Sequence, residues 1–406
     1  MDELPIGRRV AYWRARRRMS QQVFADRLGK SKSWVDKVER GVRRLDKFSL
    51  INDIADVLQV DAQVLLGREH ERRDGGYGVS SAEISDIRAA LERYDQVNAF
   101  FAPPPVAPDL GELTKSVQHA WLTYQHAKGG ALARLLPALL RKAQAADVAY
   151  RNTRDAAHGA HLLGQTYQIA SSALRNLGKY ELAWLAADRA VTVSQRAGDD
   201  LLSGMATFRV GLALLAMGRP RSALEISVSV ASRLAPSGGH SERPRLSVFG
   251  MLLLLGAMAA AKLADPATTE DLLRGAEEAA DALGADENHY WTCFGPTNVQ
   301  LHRVAAAVEL GDAGNAVNLH RVPPEGFAAL VPERRIHYLL DLARGWAQVG
   351  DINRAGEMLV EGDRLAPTEL RSRPVAREIL GDVIRRSQGD PSPALCELAA
   401  QVGVGG

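Results

Sequence analysis

The stretch Met19–Arg44, MSQQVFADRLGKSKSWVDKVERGVRR, constrains the fold more than any other part of the chain. Ser20 offers a hydroxyl to cap a helix whose apolar side is read as Val23, Phe24 and Leu28. Ala25 is small where two helices should cross closely, and Gly29 permits the left-handed backbone of a tight turn. Ser31 can cap a second helix that buries Val35 and Val38 and stops before Gly41. Two helices this short cannot stand alone in water and need neighbours. The flanks supply them. Pro5 suits a helix start, with Ile6, Val10 and Trp13 at helical spacing behind it. A fourth helix over about 47–58 and a fifth from Asp61 to Leu66 would close the core with Ile51, Ile54, Ala55, Leu58, Leu65 and Leu66. The spacing therefore predicts a five-helix domain over residues 1–67, with a helix-turn-helix at its centre.

Charge is unevenly spread. The whole chain carries only +2, yet residues 5–47 hold fourteen Lys or Arg against four acids. The rest of the chain must be mildly acidic. A basic run can be no more than a solvated helix face, but here the excess coincides with the helix-turn-helix and points to phosphate.

The pattern SQ–xx–F–A–xxx–GKS–xxx–V–xx–VE–x–G, from Ser20 to Gly41, and IADVLQV at Ile54–Val60, resemble the phage-repressor-like (xenobiotic-response-element) family of helix-turn-helix domains. The resemblance implies DNA binding, with Gln21 on phosphate and Lys32, Ser33, Trp34 and Lys37 facing base edges beside Asp36. It implies an internal ion pair, Arg14 with Glu39, and a backbone-gripping group of Arg40, Arg43, Arg44 and Lys47. The chemistry is suitable: Lys32 or Lys37 can donate to guanine, and Trp34 can pack on a thymine methyl or sugar. The other reading of Trp34 is a ring packed on a neighbouring helix.

Residues 68–109 read as a linker with one helix. Arg68–Gly78 is polar and glycine-containing, and His70 within it reads as solvated rather than as a metal ligand. Ser80 and Glu83 form a capping-box pattern opening a helix to about Phe100. Ile84, Ile87, Leu91, Tyr94 and Asn98 follow near heptad spacing, as in a dimer-forming or signal-carrying helix, or simply the cap of the next domain. Ala102–Pro108 is a stiff spacer.

Residues 110–406 are rich in Ala and Leu, with no strand alternation. LRNLGKYELA (Leu174–Ala183), LLAMGRPRSA (Leu214–Ala223), AVELGDAGNA (Ala307–Ala316) and WAQVGDINRA (Trp346–Ala355) share one grammar. Each has a helix end, a glycine, a short polar turn, and an alanine five residues after the glycine. That is a helical hairpin with a glycine cap and a close helix crossing. Pro236 and Pro367 read as stops after second helices. The segments resemble tetratricopeptide repeats. Leu113–Ala146 and Met251–Leu283 read as degenerate hairpins, and Arg373–Val402 as a closing cap. The expected fold is all-α: the helix-turn-helix domain followed by a tetratricopeptide-like α-solenoid with a concave groove. In the register the resemblance implies, Gln165, Gln168, Arg175, Asn176, Phe208, Leu212, Asn298, His337 and Arg344 face that groove, a mixture suited to an extended peptide. The alternative is an ordinary solvated inner face. His289–Arg303, with Gly295-Pro296, interrupts the hairpins as a groove wall, a lid or a long inter-repeat turn.

The full layout resembles a large group of actinobacterial regulators and is similar to the peptide-sensing regulators of Gram-positive bacteria. It implies a homodimeric, sequence-specific transcriptional regulator on a palindromic double-stranded operator, tuned by a peptide or small-molecule effector. A nucleoid-associated, cytoplasmic location follows. The alternative is a protein–protein adaptor in which DNA contact is secondary. No GxSxG, Walker loop or HExxH is present, so no enzyme activity, cofactor or metal is expected. His158 and His161 read as polar helix residues. Cys293 and Cys396 are the only cysteines, which argues against a disulfide framework and a zinc site. The apolar run Val248–Ala261 is too short to span a bilayer and fits a buried helix, so no membrane partner is expected.

Overall fold

The computed structural model describes residues 5–17, 19–43, 45, 48–58, 79–92, 106–236, 242–319, 324–387 and 391–404. The chain divides into two units, Met1–Gly76 and Tyr77–Gly406. All regular structure among the described residues is helical, apart from one isolated bridge between Glu287 and Phe294.

The first unit contains α1 (Ile6–Arg16), α2 (Gln21–Arg27), α3 (Lys32–Glu39) and α4 (Phe48–Leu58). Ser20 and Ser31 cap α2 and α3, their hydroxyls accepting from the Val23 and Trp34 amides at 3.2 and 3.1 Å. Gly29, at φ 62°, turns the chain between them, and the Lys30 amide donates to the Ala25 carbonyl at 2.9 Å. Val10, Phe24, Ala25, Val35, Val38, Ile51, Ile54, Ala55 and Leu58 form one core. Val23 is a correction: it is 43 % exposed. Phe24 and Ala25 take the inward face, and Val23 lies about 100° around the helix from Phe24. Gly7 makes the crossing of α1 over α3 possible, since a Cβ there would lie 2.0 Å from the Val38 carbonyl oxygen. The expected fifth helix at Asp61–Leu66, with Leu65 and Leu66, lies outside the described residues, as do Arg68–Gly78.

The second unit begins with α5 (Ser81–Glu92) and the hairpin α6 (Leu110–Gln125) and α7 (Gly129–Tyr150). Four hairpins follow: α8 (Ala156–Asn176) with α9 (Tyr180–Ala197), α10 (Asp200–Ala216) with α11 (Pro220–Arg233), α12 (Arg243–Lys262) with α13 (Pro266–Leu283), and α14 (Pro296–Glu309) with the short α15 (Ala313–Asn318). After α16 (Pro324–Ala329) come α17 (Pro332–Val349) with α18 (Ile352–Leu365), then α19 (Pro367–Ser372), α20 (Pro374–Arg386) and α21 (Pro393–Val402).

Gly178, Gly218, Gly311 and Gly350 all take the left-handed conformation. Ala183, Ala223, Ala316 and Ala355, five residues later in each case, are completely buried. A small side chain at that position is what lets the two helices of a hairpin approach. In the hairpins without a glycine, Ala127 and Ala264 occupy the same left-handed position, each at φ 56°. The capping box forms reciprocally: Ser80 Oγ accepts from the Glu83 amide and Glu83 Oε2 from the Ser80 amide. α5 buries Ile87, Ala90 and Leu91 in the same core as α6 to α9 and so caps the repeat unit. Its described seam is therefore taken up by its own chain; residues 93–105, with the rest of the predicted helix and the start of the spacer, lie outside the described residues. α12 is long and apolar enough to cross a membrane by composition, longer than the sequence reading of that run, but most of it is buried within the unit.

The repeat unit also closes on itself. Ala127, between α6 and α7, belongs to the core built by α17 to α21. The Tyr124 hydroxyl reaches Glu333 at 2.8 Å, and the Asn176 amide reaches Glu369 at 2.9 Å. First and last hairpins therefore meet, and the open groove expected of a solenoid becomes an interior space.

Candidate nucleic-acid interface and interior site

On α3 the outward residues are Lys32, Ser33, Lys37 and Arg40, with Asp36 half-buried among them, while Trp34, Val35, Val38 and Glu39 face inward. Positions 32, 33, 36, 37 and 40 fall on one helical stripe. Its charge is three cations against one carboxylate, and Arg40 lies 3.4 Å from Asp36 in an exposed pair. Arg14 grips Glu39 with two hydrogen bonds, 2.6 and 3.0 Å, and donates a third to the Met19 carbonyl at 2.7 Å. That bidentate pair ties α1 to α3 and fixes the stripe's direction.

Two of the expected contacts sit elsewhere. Trp34 is 9 % exposed and packs into the head's core, with the Arg43 guanidinium 6.0 Å from its ring. The cause is register: positions 33 and 37 face outward, and residue 34 is turned toward the core side. Gln21 donates its amide to Glu39 at 2.8 Å, joining the ion pair instead of pointing outward. Arg43 is exposed, and Arg44 and Lys47 lie outside the described residues.

Inside the repeat unit, the segment after α13 crosses the interior as a strap. Tyr290, Trp291 and Cys293 take φ of 49°, 62° and 48°. Three left-handed non-glycine residues so close together are strained backbone, held by contacts around them. Trp291 stacks on Trp121 with ring centroids 5.7 Å apart, and Gln165 Oε1 accepts from both indole nitrogens at 3.0 and 3.3 Å. Phe294 is fully buried against Gly250, where a Cβ would lie 2.0 Å from its ring. Gln125 and Asn288 exchange amide hydrogen bonds at 3.0 Å. His289–Phe294 thus joins two hairpins and also walls the interior, while Pro296–Arg303 belongs to α14.

Beneath the strap lies a cavity of about 260 Å³ bounded by Trp121, His161, Gln165, Gln168, Tyr290 and Trp291. A second space of about 390 Å³ adjoins it, lined further by Thr114, Gln118 and His158. Gln165 donates to His161 Nε2 at 2.7 Å, which leaves Nδ1 to donate to Asp199, 3.3 Å away. Tyr290 also donates to Asp199, at 2.9 Å. Burial alone would raise the Asp199 carboxyl, but hydrogen bonds from His161, the Leu202 amide and Tyr290 hold it below the usual range. The cavity offers aromatic faces and amides, the surfaces that bind an apolar or peptide-like ligand.

The nine groove positions do not form one surface. Gln165 and Gln168 line the cavity, although Gln168 already donates to the Leu202 carbonyl at 3.1 Å. Phe208 is in the core, and Leu212 packs half-buried against the same core. Asn298 is buried, donating to Met251 Sδ at 3.4 Å. Arg344 pairs with Glu309 at 3.0 Å. The physical reason is packing: these four side chains are absorbed into contacts between neighbouring hairpins. Arg175, Asn176 and His337 join a buried charged cluster with Tyr124, Arg209, Glu333, Arg334, Glu369 and Arg373. Arg209 does carry a sequence signal: it is the only charged residue within α10 after Asp200. Trp121 carries none that distinguishes it from an ordinary core ring.

Among the described residues no group of three or more His, Cys, Asp or Glu could hold a metal. His158 instead lies 3.2 Å from the Thr114 hydroxyl.

A family model described as a helix-turn-helix domain matches residues 5–66. Comparison with curated proteins finds no match. Among solved structures, the crystal structure of Bacillus thuringiensis PlcR in complex with the peptide PapR7 and DNA is similar at a TM-score of 0.34. Identity is 12 %, over 89 % of this chain and 98 % of that one.

Proposed function

We propose that the chain is a sequence-specific DNA-binding transcriptional regulator whose repeat unit receives an effector. The observation that carries this reading is the outward stripe of Lys32, Ser33, Lys37 and Arg40 on α3, fixed from behind by the Arg14–Glu39 pair. A helix so placed can enter a major groove, with Lys37 and Ser33 toward base edges and Arg40 and Arg43 toward phosphates. A homodimer would set two such helices about one turn apart on a palindromic operator. The effector is a peptide or small molecule, and the aromatic cavity under the strap, walled by Trp121 and Trp291, supports that part of the reading. The protein works without catalysis, in the cytoplasm and on the nucleoid. Genomic footprinting of the full chain tests the reading: a short recurrent palindrome is expected, and footprints without a common sequence would overturn it.

A further inference from the structure

Arg209 sits in the middle of α10 with 4 % of its surface exposed. Among the described residues it makes no hydrogen bond and no ion pair, and its buried Nε has no acceptor. Its guanidinium lies 5.4 Å from the Trp121 ring and 5.2 Å from the Phe208 ring. Arg175, whose Nε is also buried without an acceptor, and Arg334 lie within electrostatic range of it. A buried guanidinium among like charges is expensive unless something compensates it.

Glu333 acts on Arg209 from a distance, but the carboxylates nearby make their hydrogen bonds to other residues. Glu369 accepts from Arg373 at 2.8 Å and from Asn176 at 2.9 Å. Glu333 accepts from Tyr124 and lies 3.8 Å from Arg373 and 3.9 Å from Arg334. The remaining polar groups are neutral. Burial raises the Tyr124 phenol, lifts the Cys293 thiol to about 11 and pushes the His337 imidazole down to about 3. Four guanidinia, Arg175, Arg209, Arg334 and Arg373, therefore face two carboxylates, Glu333 and Glu369. Asp341, which also feels Arg373, is held toward its neutral form by burial and lies 3.8 Å from Arg344. The side chains of Arg334 and His337 are 17 % and 32 % exposed, so solvent reaches the cluster.

We propose that Arg209 and Arg175 form an interior site for an oxyanion, the carboxylate or phosphate group of the repeat unit's ligand. Both guanidinia have unused donors, and a guanidinium fork matches two oxygens of either group. Trp121, shared by the cavity wall and by Arg209, links this charged end to the aromatic space. The proposal rests on reading the repeat unit as a receptor, but its test involves no DNA and fails separately from the regulator reading.

The test is thermal unfolding of the full chain at constant ionic strength, with sodium chloride replaced stepwise by sodium phosphate or sodium citrate. A saturable rise in Tm above the chloride series is expected, because an anion bound only to the folded state stabilises it. A response to phosphate alone assigns a phosphate group, and a response to citrate alone a carboxylate. Arg209→Gln should abolish the rise while leaving Tm in chloride no lower than the parent's, as removal of an uncompensated charge requires. Arg175→Gln, at a position only partly buried, should abolish it as well and serves if the first variant does not fold. Arg303→Gln, on the outer Glu270 and Glu277 pairs, should keep it. The proposal is overturned if phosphate and citrate act no differently from chloride, or if both interior variants keep the full response.

Discussion

The Tyr124 hydroxyl donates to Glu333 Oε1 at 2.8 Å, across 209 positions of sequence. Both groups are buried, one on the first hairpin of the repeat unit and the other on α17. Burial alone would raise the Glu333 carboxyl, yet His337 above all, with Arg334 and Arg373, holds it well below the usual range. The bond is thus made to a charged acceptor. Tyr124→Phe removes only the oxygen, and a hydrogen bond to a charged group contributes about 1.5–3 kcal/mol. The urea midpoint of the variant should fall accordingly, with the slope of the transition unchanged. An unaltered midpoint would mean that closure is held by the packing of Ala127 and the Asn176–Glu369 bond instead.

Much of this architecture was legible in the sequence, and the limit has a physical origin. The capping box at Ser80 and Glu83, the serine caps of α2 and α3, and the glycine-to-alanine spacing of the hairpins are local signals. Each is read within five residues. Closure is not local. Nothing near Tyr124 announces Glu333, so the groove residues inferred from repeat register were placed on a surface that the closed unit does not have. Trp34 shows the same limit on a smaller scale. Its neighbours Ser33 and Lys37 face outward, but one position of helical rotation carries the large ring into the core.

Acid should destabilise the fold over the range in which free imidazoles take up protons. Burial pushes His302 down to about 4, with its Nδ1 2.8 Å from the Asn298 carbonyl, and burial with nearby Arg373 pushes His337 down to about 3. Unfolded, both imidazoles bind a proton near pH 6.5, so between these values the unfolded chain holds more protons. Stability is then fully present above about pH 6.5 and is lost as pH falls toward 4 and 3. Asp341 opposes this: burial raises it to about 6, so it favours the folded state as pH falls from 6 toward the ordinary 3.8. Two imidazoles outweigh one carboxyl. The urea midpoint should decline from pH 7 to pH 5, and His302→Gln should flatten the decline. A midpoint that is constant or rises over that interval would show that the imidazoles are not held neutral.

The left-handed alanine of the α12–α13 hairpin offers a stabilising change. Ala264 sits at φ 56° and is exposed, while the Asp265 amide closes the turn on the Ala260 carbonyl at 3.0 Å. A left-handed L-residue costs roughly 1–2 kcal/mol, and glycine gives back about 0.5–1 kcal/mol through the flexibility of the unfolded chain. Ala264→Gly should therefore gain about 0.5 kcal/mol in chemical unfolding. Gly218→Ala, at φ 71° in the neighbouring hairpin, should lose a similar amount or more. If both substitutions move stability the same way, backbone conformation is not what distinguishes these turns.

The helix-turn-helix makes the sharpest separation between fold and recognition. Lys37 is exposed with no partner among the described residues, whereas Trp34 and Glu39 are buried behind it. Lys37→Ala should leave the melting curve unchanged and lower the preference for the operator over scrambled DNA, by about 1–3 kcal/mol if the lysine reads a base edge. Arg43→Ala should weaken binding to both DNAs alike and reduce the salt slope by about one. Glu39→Ala leaves the Arg14 guanidinium 16 % exposed and without its bidentate partner, so the head should lose stability first and all DNA binding with it. Competition binding at two salt concentrations, paired with melting curves for each variant, distinguishes the three. Equal losses on operator and scrambled DNA for Lys37→Ala would move that lysine from base reading to phosphate contact, leaving Ser33 and Lys32 as the only outward readers on the stripe.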